Sequence, residues 1–219
     1  MSMRIQEVNS YKFSEEIIAR KKDSIVTYKP GESILKNNFD TNMFWIIVEG
    51  VVKTYIETIK KKTVIINISK AKTPIGLRHF IASEKYTISA SALTLVKLIP
   101  VNVQEYNELL KKNPNMIEYL LSALCYENKI FENRVIALSQ KQLPGKLADF
   151  LVFLKDDIFK SNKFVLPFSR REISQYIGTT QESLIRTISE FDSDRIISTK
   201  GKHLTIISED LLHKLSELG

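Results

Sequence analysis

Glu182 and Arg186 stand four residues apart in the run Gln181-Glu182-Ser183-Leu184-Ile185-Arg186. On a helix that spacing puts both side chains on one face, a single turn apart. An arginine fork carries two parallel donors that match O6 and N7 of guanine, and a glutamate accepts from N4 of cytosine. Each such pairing discriminates against a wrong base by roughly 1–3 kcal/mol. Opposite charges at this spacing can also close on each other as a surface ion pair. The pair reads bases only if the surrounding segment builds a helix that presents it to DNA.

The flanking residues predict such a helix. Ser169-Arg170-Arg171-Glu172 has the form of a capping box, the serine hydroxyl accepting from an amide of the first turn and the glutamate reaching back. It opens a short helix to about residue 177. Gly178 supplies a tight turn, and Thr179-Thr180-Gln181-Glu182 offers a second cap before a helix over 183–191. Ile173, Ile177, Leu184 and Ile188 form the inner face of the pair, which leaves Gln181, Glu182, Ile185 and Arg186 at the front of the second helix. That is where a recognition helix meets base edges in the major groove. Residues 195–199 and 203–207 read as a strand-turn-strand around Lys200-Gly201. Such a wing places Lys200 and Lys202 near backbone phosphate, with Ser169, Arg170 and Thr180 as further backbone contacts.

Upstream lies a second periodic element. Past Pro114 a helix is expected to about residue 139, and Ile117, Leu121, Leu124, Asn128, Phe131, Val135 and Leu138 recur alternately four and three apart along it. That is a coiled-coil seam, and a single asparagine within it can pair with its copy and fix register across a dimer axis. The alternative is that the stripe packs on its own domain. Pro144-Gly145 reads as a hinge, followed by an amphipathic helix over 146–159 and a short strand near 163–166. Three parts follow: residues 1–112, a dimerisation helix over 113–140, and a DNA-binding domain over 141–219.

The first part reads as short strands at 24–28, 33–35, 43–48, 51–59, 63–69, 87–91 and 95–100, rich in Ile, Val, Thr and aromatics and separated by turn residues such as Pro30-Gly31 and Glu49-Gly50. Many short strands suggest a rolled β-domain. Lys60-Lys61-Lys62 is a solvated hairpin tip, and a helix is expected over 104–112. The net charge of +7 over 219 residues favours a polyanionic partner. Its distribution does not locate the site, since residues 168–219 hold seven Lys and Arg against eight Asp and Glu. No apolar run reaches membrane-spanning length and the first residues lack a secretion signal, so a cytoplasmic protein without membrane contact is expected. One cysteine, Cys125, is too few for a cluster or a cysteine-rich zinc site and is expected to be buried as a small apolar residue. No nucleophile-base pairing, phosphate-cradling loop or metal spacing points to an enzyme or a metal site.

Taken in order, these elements resemble the Crp/Fnr family of bacterial regulators over nearly the whole chain. The most specific match is Phe168-Ser169-Arg170-Arg171-Glu172-Ile173 through Gly178 to Gln181–Arg186, with weaker ones at Tyr28-Lys29-Pro30-Gly31-Glu32, Val48-Glu49-Gly50 and Ile75-Gly76. The resemblance implies an α+β fold: an N-terminal cyclic-nucleotide-binding-like β-roll, a long dimerisation helix and a C-terminal winged helix-turn-helix. It implies a homodimeric transcription regulator in which Glu182 and Arg186 read a TGA core in each half of a palindrome. Gln181 sits at the family's variable position, and RNA polymerase is implied as a partner. Cyclic-nucleotide binders of the family carry Gly-Glu and, some ten residues on, Arg-Ser. Here Gly76-Leu77 and Glu84-Lys85-Tyr86-Thr87 stand instead. Cyclic AMP is therefore not expected as a ligand, and Lys85 lacks the fork of an arginine. Gly76, Leu77, Lys85 and Tyr86 remain the candidate lining of an effector pocket, either open to another ligand or collapsed. Neither haem nor an iron-sulfur cluster is expected: His79 is a lone histidine in a loop, read as an exposed polar residue. The competing function is a ligand-binding module acting through protein partners, with its helix-turn-helix serving only for packing.

Overall fold

β-Branched and aromatic residues between 26 and 102 form eight strands: β1 (Val26–Tyr28), β2 (Ser33–Leu35), β3 (Met43–Glu49), β4 (Val52–Glu57), β5 (Thr63–Ser69), β6 (Pro74–Ile75), β7 (Ser89–Ala92) and β8 (Val96–Asn102). The computed structural model describes residues 2–58 and 63–219, so the Lys60-Lys61-Lys62 tip lies outside the described residues. The strands pair antiparallel in two sheets of order β1-β8-β3-β6 and β2-β7-β4-β5. Ile47, Val96 and Leu98 of one sheet and Val52, Ala90 and Ala92 of the other share one core, which makes the pair a roll. Because side chains alternate along a strand, Phe44 and Ile46 of β3 point the opposite way, into a second core beneath helices. Gly50 joins β3 to β4 at φ 94°, where a β-carbon would stand 2.3 Å from the Leu95 carbonyl oxygen. No residue with a side chain fits there.

That second core is closed by α1 (Ser2–Arg20), α2 (Leu77–Ala82), α3 (Val103–Lys112) and the start of α4 (Met116–Gln140). Neither α1 nor α2 was expected. Phe13 and Ile17, one turn apart, bury completely beside Phe44, Phe80, Met116 and Leu120. At the end of α1, Lys21 donates to the Pro100 carbonyl and to Glu105, both at 2.6 Å. The strand expected over 87–91 begins two residues later, because Tyr86 turns into the core and Thr87 bonds to a side chain.

The chain divides into compact units Met1–Glu132 and Asn133–Gly219, with the boundary inside α4. The second unit holds α5 (Leu143–Phe153), β9 (Lys163–Val165), α6 (Arg170–Ile177), α7 (Gln181–Ser193), β10 (Ile197–Lys200), β11 (His203–Ile206) and α8 (Glu209–Leu218). Its sheet is antiparallel in the order β10-β11-β9. The break read at residues 140–145 is there, since α4 ends at Gln140 and α5 begins at Leu143, and Pro144-Gly145 falls in the first turn of α5. Proline suits that turn, since the amide it lacks would have had no intrahelical partner. Gly145 is needed for packing, as its β-carbon would lie 2.6 Å from Gly219 Cα. The α-helix expected to 159 ends at Phe153 and gives way to a wider π-helical turn over Leu154–Phe159. There Lys155 is held by Asp156 and Glu209, at 2.9 and 2.8 Å. No helix among the described residues is long and apolar enough to cross a membrane.

Candidate nucleic-acid interface

The capping box forms as the sequence predicts. Ser169 Oγ accepts from the Glu172 amide at 3.2 Å, and Glu172 Oε2 accepts from the Ser169 amide at 2.7 Å. Gly178 ends α6 at φ 70° and ψ 47°, and its amide bonds to the Ser174 carbonyl. Two residues later Thr180 Oγ1 accepts from the Ser183 amide at 3.1 Å and starts α7. Ile173, Ile177, Leu184 and Ile188 are all buried, so the two helices lock through the expected face. Thr187 and Phe191 extend that face and were not foreseen. The buried hydroxyl of Thr187 donates to the Ser183 carbonyl at 3.1 Å.

Burial of that side leaves Gln181, Glu182, Ile185 and Arg186 exposed on the other. Among the described residues, Glu182 and Arg186 make no ion pair with each other or with any neighbour. The i, i+4 ion pair that the spacing allows is therefore not formed, and a donor fork and an acceptor carboxylate stand ready side by side. The amides of Gln181 and Glu182, in the first turn of α7, have no intrahelical acceptor and favour negative charge.

The wing is β10 and β11, joined through Gly201 at φ 64°. Lys200, Lys202 and His203 are exposed at its tip. Two contacts fix its position. The Leu166 amide donates to the Lys202 carbonyl at 2.8 Å, and Thr199 donates to Asp192 Oδ2 through its hydroxyl at 2.9 Å and its amide at 3.3 Å. Asp192, at the end of α7, thus spends its charge on the wing instead of facing DNA, a link no local pattern in the sequence announces. Ser169 and Thr180 are exposed beside the second helix, whereas Arg170 is half-buried and its burial lowers its pKa.

Of the residues read as lining an effector pocket, Gly76 and Tyr86 come together and Lys85 stands apart. Tyr86 is only 2% exposed, with its ring over Gly76: a β-carbon there would meet Tyr86 Cε1 at 2.8 Å. The phenol donates to the Met43 carbonyl, burial pushes its pKa up to about 12, and Trp45 and His79 flank the ring at 6.2 and 5.7 Å. Leu77 is buried in the helix-covered core. Gly76, Leu77 and Tyr86 are therefore packing residues, and Tyr86 occupies the space between them. Lys85 does not join them but faces solvent, 3.8 Å from Asp40. His79 is not an exposed loop residue: it lies buried in α2, with Nε2 2.8 Å from Thr87 Oγ1 and 2.7 Å from Arg78 Nη2. Desolvation and the neighbouring Arg78 lower its pKa, which keeps the imidazole neutral. Cys125, expected to be buried, is exposed on α4.

The seam residues divide in the same way. Ile117, Leu121, Phe131 and Val135 are each about half exposed. Leu124 packs instead on the helix-covered core, and Leu138 approaches Gly178. Asn128 is exposed and donates to Glu132 at 2.7 Å.

Comparison with known proteins places both units. Residues 25–113 match the cyclic nucleotide-binding domain and residues 145–215 the Crp-like helix-turn-helix domain. The fumarate and nitrate reduction regulatory protein of Yersinia pestis is 25% identical over 206 residues, which cover 92% of this chain and 80% of that one. Among solved structures, FixK2 from Bradyrhizobium japonicum superposes with a TM-score of 0.79 at 20% identity, over 87% of this chain and 96% of its own. A CRP/FNR-family transcriptional regulator from Thermus thermophilus gives 0.75 at 18%, over 88% and 98%. With both domains matched in order and relatives spanning most of its length, the chain belongs to the Crp/Fnr family of DNA-binding transcription regulators, not to a family of enzymes.

Proposed function

We propose that the protein acts as a homodimer on a palindrome with TGA-like half-sites, each α7 entering one major groove. Arg186 pairs with guanine and Glu182 with cytosine, Gln181 touches the base beside them, and Lys200 and Lys202 hold phosphate together with Ser169, Thr180 and the half-buried Arg170. The observation that carries this reading is the exposed face of α7, where Glu182 and Arg186 stand without a partner among the described residues. The dimer rests on the half-exposed stripe of Ile117, Leu121, Phe131 and Val135. A stripe of this length on a helix is costly to leave in water and suits a second copy of itself. RNA polymerase is the further partner that family membership implies, and the cytoplasm, where the DNA is, is the place of work.

Cyclic AMP is not part of this reading. Leu77 replaces the family's glutamate, and Tyr86 fills the space above Gly76 that a ligand would need. The roll then serves as a scaffold for α4 or answers to a ligand of another class. The test is a mobility shift on a TGA palindrome with scrambled duplex as competitor, beside light scattering of the free protein. Retention against a large excess of competitor, with a dimer mass, is expected. Equal displacement by both duplexes would overturn the reading.

A further inference from the structure

The last two turns of α4, from Asn133 on, belong to the winged-helix unit. Two residues on them grip the helix-turn-helix at its bend. The Arg134 guanidinium lies 4.0 Å from the centre of the Tyr176 ring, and its Nη2 donates to the Tyr176 carbonyl at 2.8 Å. Four residues on, Leu138 Cδ2 comes within 3.2 Å of where a β-carbon of Gly178 would stand.

The chemistry of the first contact is specific. Tyr176 is in the last turn of α6, where carbonyls have no intrahelical amide to accept from. Arg134 supplies the missing donor and puts a cation at the negative end of the helix. Its planar fork can stack on a ring and donate in its own plane at once, which an ammonium cannot do. Tyr176 in turn stands 5.3 Å from Phe150 of α5, and Phe150 is 5.6 Å from Phe168, just before the capping box. One aromatic chain therefore ties the end of α4 to both ends of the first helix of the pair.

We propose that Arg134 is a positioning residue for DNA reading: by clamping α6 to the tail of the dimer helix, it sets the distance and phase between the two α7 helices and so selects the spacing of half-sites. This inference rests on the dimeric reading above. Val135 lies next to Arg134 and is exposed on the seam, so the partner helix and α6 are engaged by neighbouring residues of one rigid turn. Each base pair added between half-sites rotates one of them by about 35° about the duplex axis. A clamped pair of reading helices cannot follow that rotation, whereas a loosened pair can.

The experiment measures affinity for palindromes whose spacer is the preferred one or is shorter or longer by one or two base pairs, and for a single half-site. It uses wild type, Arg134→Ala, Arg134→Lys and Tyr176→Leu, each checked for dimer mass and thermal melting. Wild type is expected to prefer one spacing sharply. Arg134→Ala should bind that spacing about ten-fold more weakly, the worth of one charge-assisted hydrogen bond, while its affinity for the other spacings and the half-site stays unchanged. Tyr176→Leu, which keeps the carbonyl and loses the ring, should flatten the preference in part. Should Arg134→Ala not fold, Arg134→Lys and Tyr176→Leu decide. A sharp preference that survives in the folded variants, or a loss equal on every duplex, would overturn the role of Arg134 alone. A wild-type protein indifferent to spacing would overturn the dimeric reading together with it.

Discussion

Replacing Tyr86 with phenylalanine removes one hydroxyl from a side chain that is 2% exposed and whose only polar atom donates to the Met43 carbonyl. At about pH 8 the variant should be less stable by about 1 kcal/mol, the net value of a hydrogen bond whose acceptor is left unpaired. The alkaline range makes the prediction sharper. Burial holds the native phenol near 12, against 10.0 for a free tyrosine. The unfolded chain therefore ionises first, so the stabilisation is complete below pH 10 and is lost as pH rises toward 12. The loss is about 1.4 kcal/mol at pH 11, one unit above the free value. Phenylalanine has no such loss, so the two stability curves should cross near pH 11. Burial also raises Tyr28, Tyr106 and Tyr176, but these act on both proteins and cancel in the difference. Urea unfolding followed by circular dichroism from about pH 8 to 11.5 measures the two curves. A constant offset across that range, or a variant more stable at neutral pH, would show that the Tyr86 hydroxyl is not buried against Met43. Tyr86 would then be an ordinary solvated phenol, and the space above Gly76 would be open to a ligand.

Three further outcomes follow from the same geometry. Leu121→Glu combined with Phe131→Glu should give a monomer by light scattering at micromolar concentration, yet shift the melting of that monomer by less than about 0.5 kcal/mol, because both side chains are half exposed. Gly178→Ala should lower stability by about 1–2 kcal/mol in thermal melts, since φ 70° disfavours a β-carbon and Leu138 is close; Gly178→Asn should cost less, because asparagine tolerates that conformation. Titration calorimetry with cyclic AMP should give no binding heat, and micromolar affinity would show that Tyr86 moves aside for a ligand.

What could be read from the sequence is what was local. The helix-turn-helix was legible because each of its decisions lies within four residues of the last: the Ser169–Glu172 box, the glycine bend, the Thr180 cap and the isoleucine and leucine spacing. The roll was legible as alternation between turn residues. By contrast, the apolar residues of α1 stand among charged and polar ones, and the reason that Phe13 and Ile17 bury is a core built from strands and helices far along the chain. Pro144-Gly145 marks by its residue types the place where one helix stops and the next starts, but the packing of Gly145 against Gly219 could not be read from it. His79 was misplaced for the same reason: a histidine in a polar loop looks solvated until Thr87 supplies a hydroxyl partner. The links from Thr199 to Asp192 and from Arg134 to Tyr176 join elements that no periodicity connects.

In the proposed complex α7 reads bases with Arg186 while the wing holds phosphate with Lys202. Binding of wild type, Arg186→Ala and Lys202→Ala to a TGA palindrome and to a scrambled duplex, at several salt concentrations, tests it directly. Arg186→Ala should lose about 1–3 kcal/mol per half-site on the palindrome and leave the scrambled duplex nearly untouched. Lys202→Ala should weaken both duplexes alike and lower the salt slope by about one for each contact removed. If Arg186→Ala weakened both duplexes equally, Arg186 would be a backbone contact, and α7 would not be the helix that reads sequence.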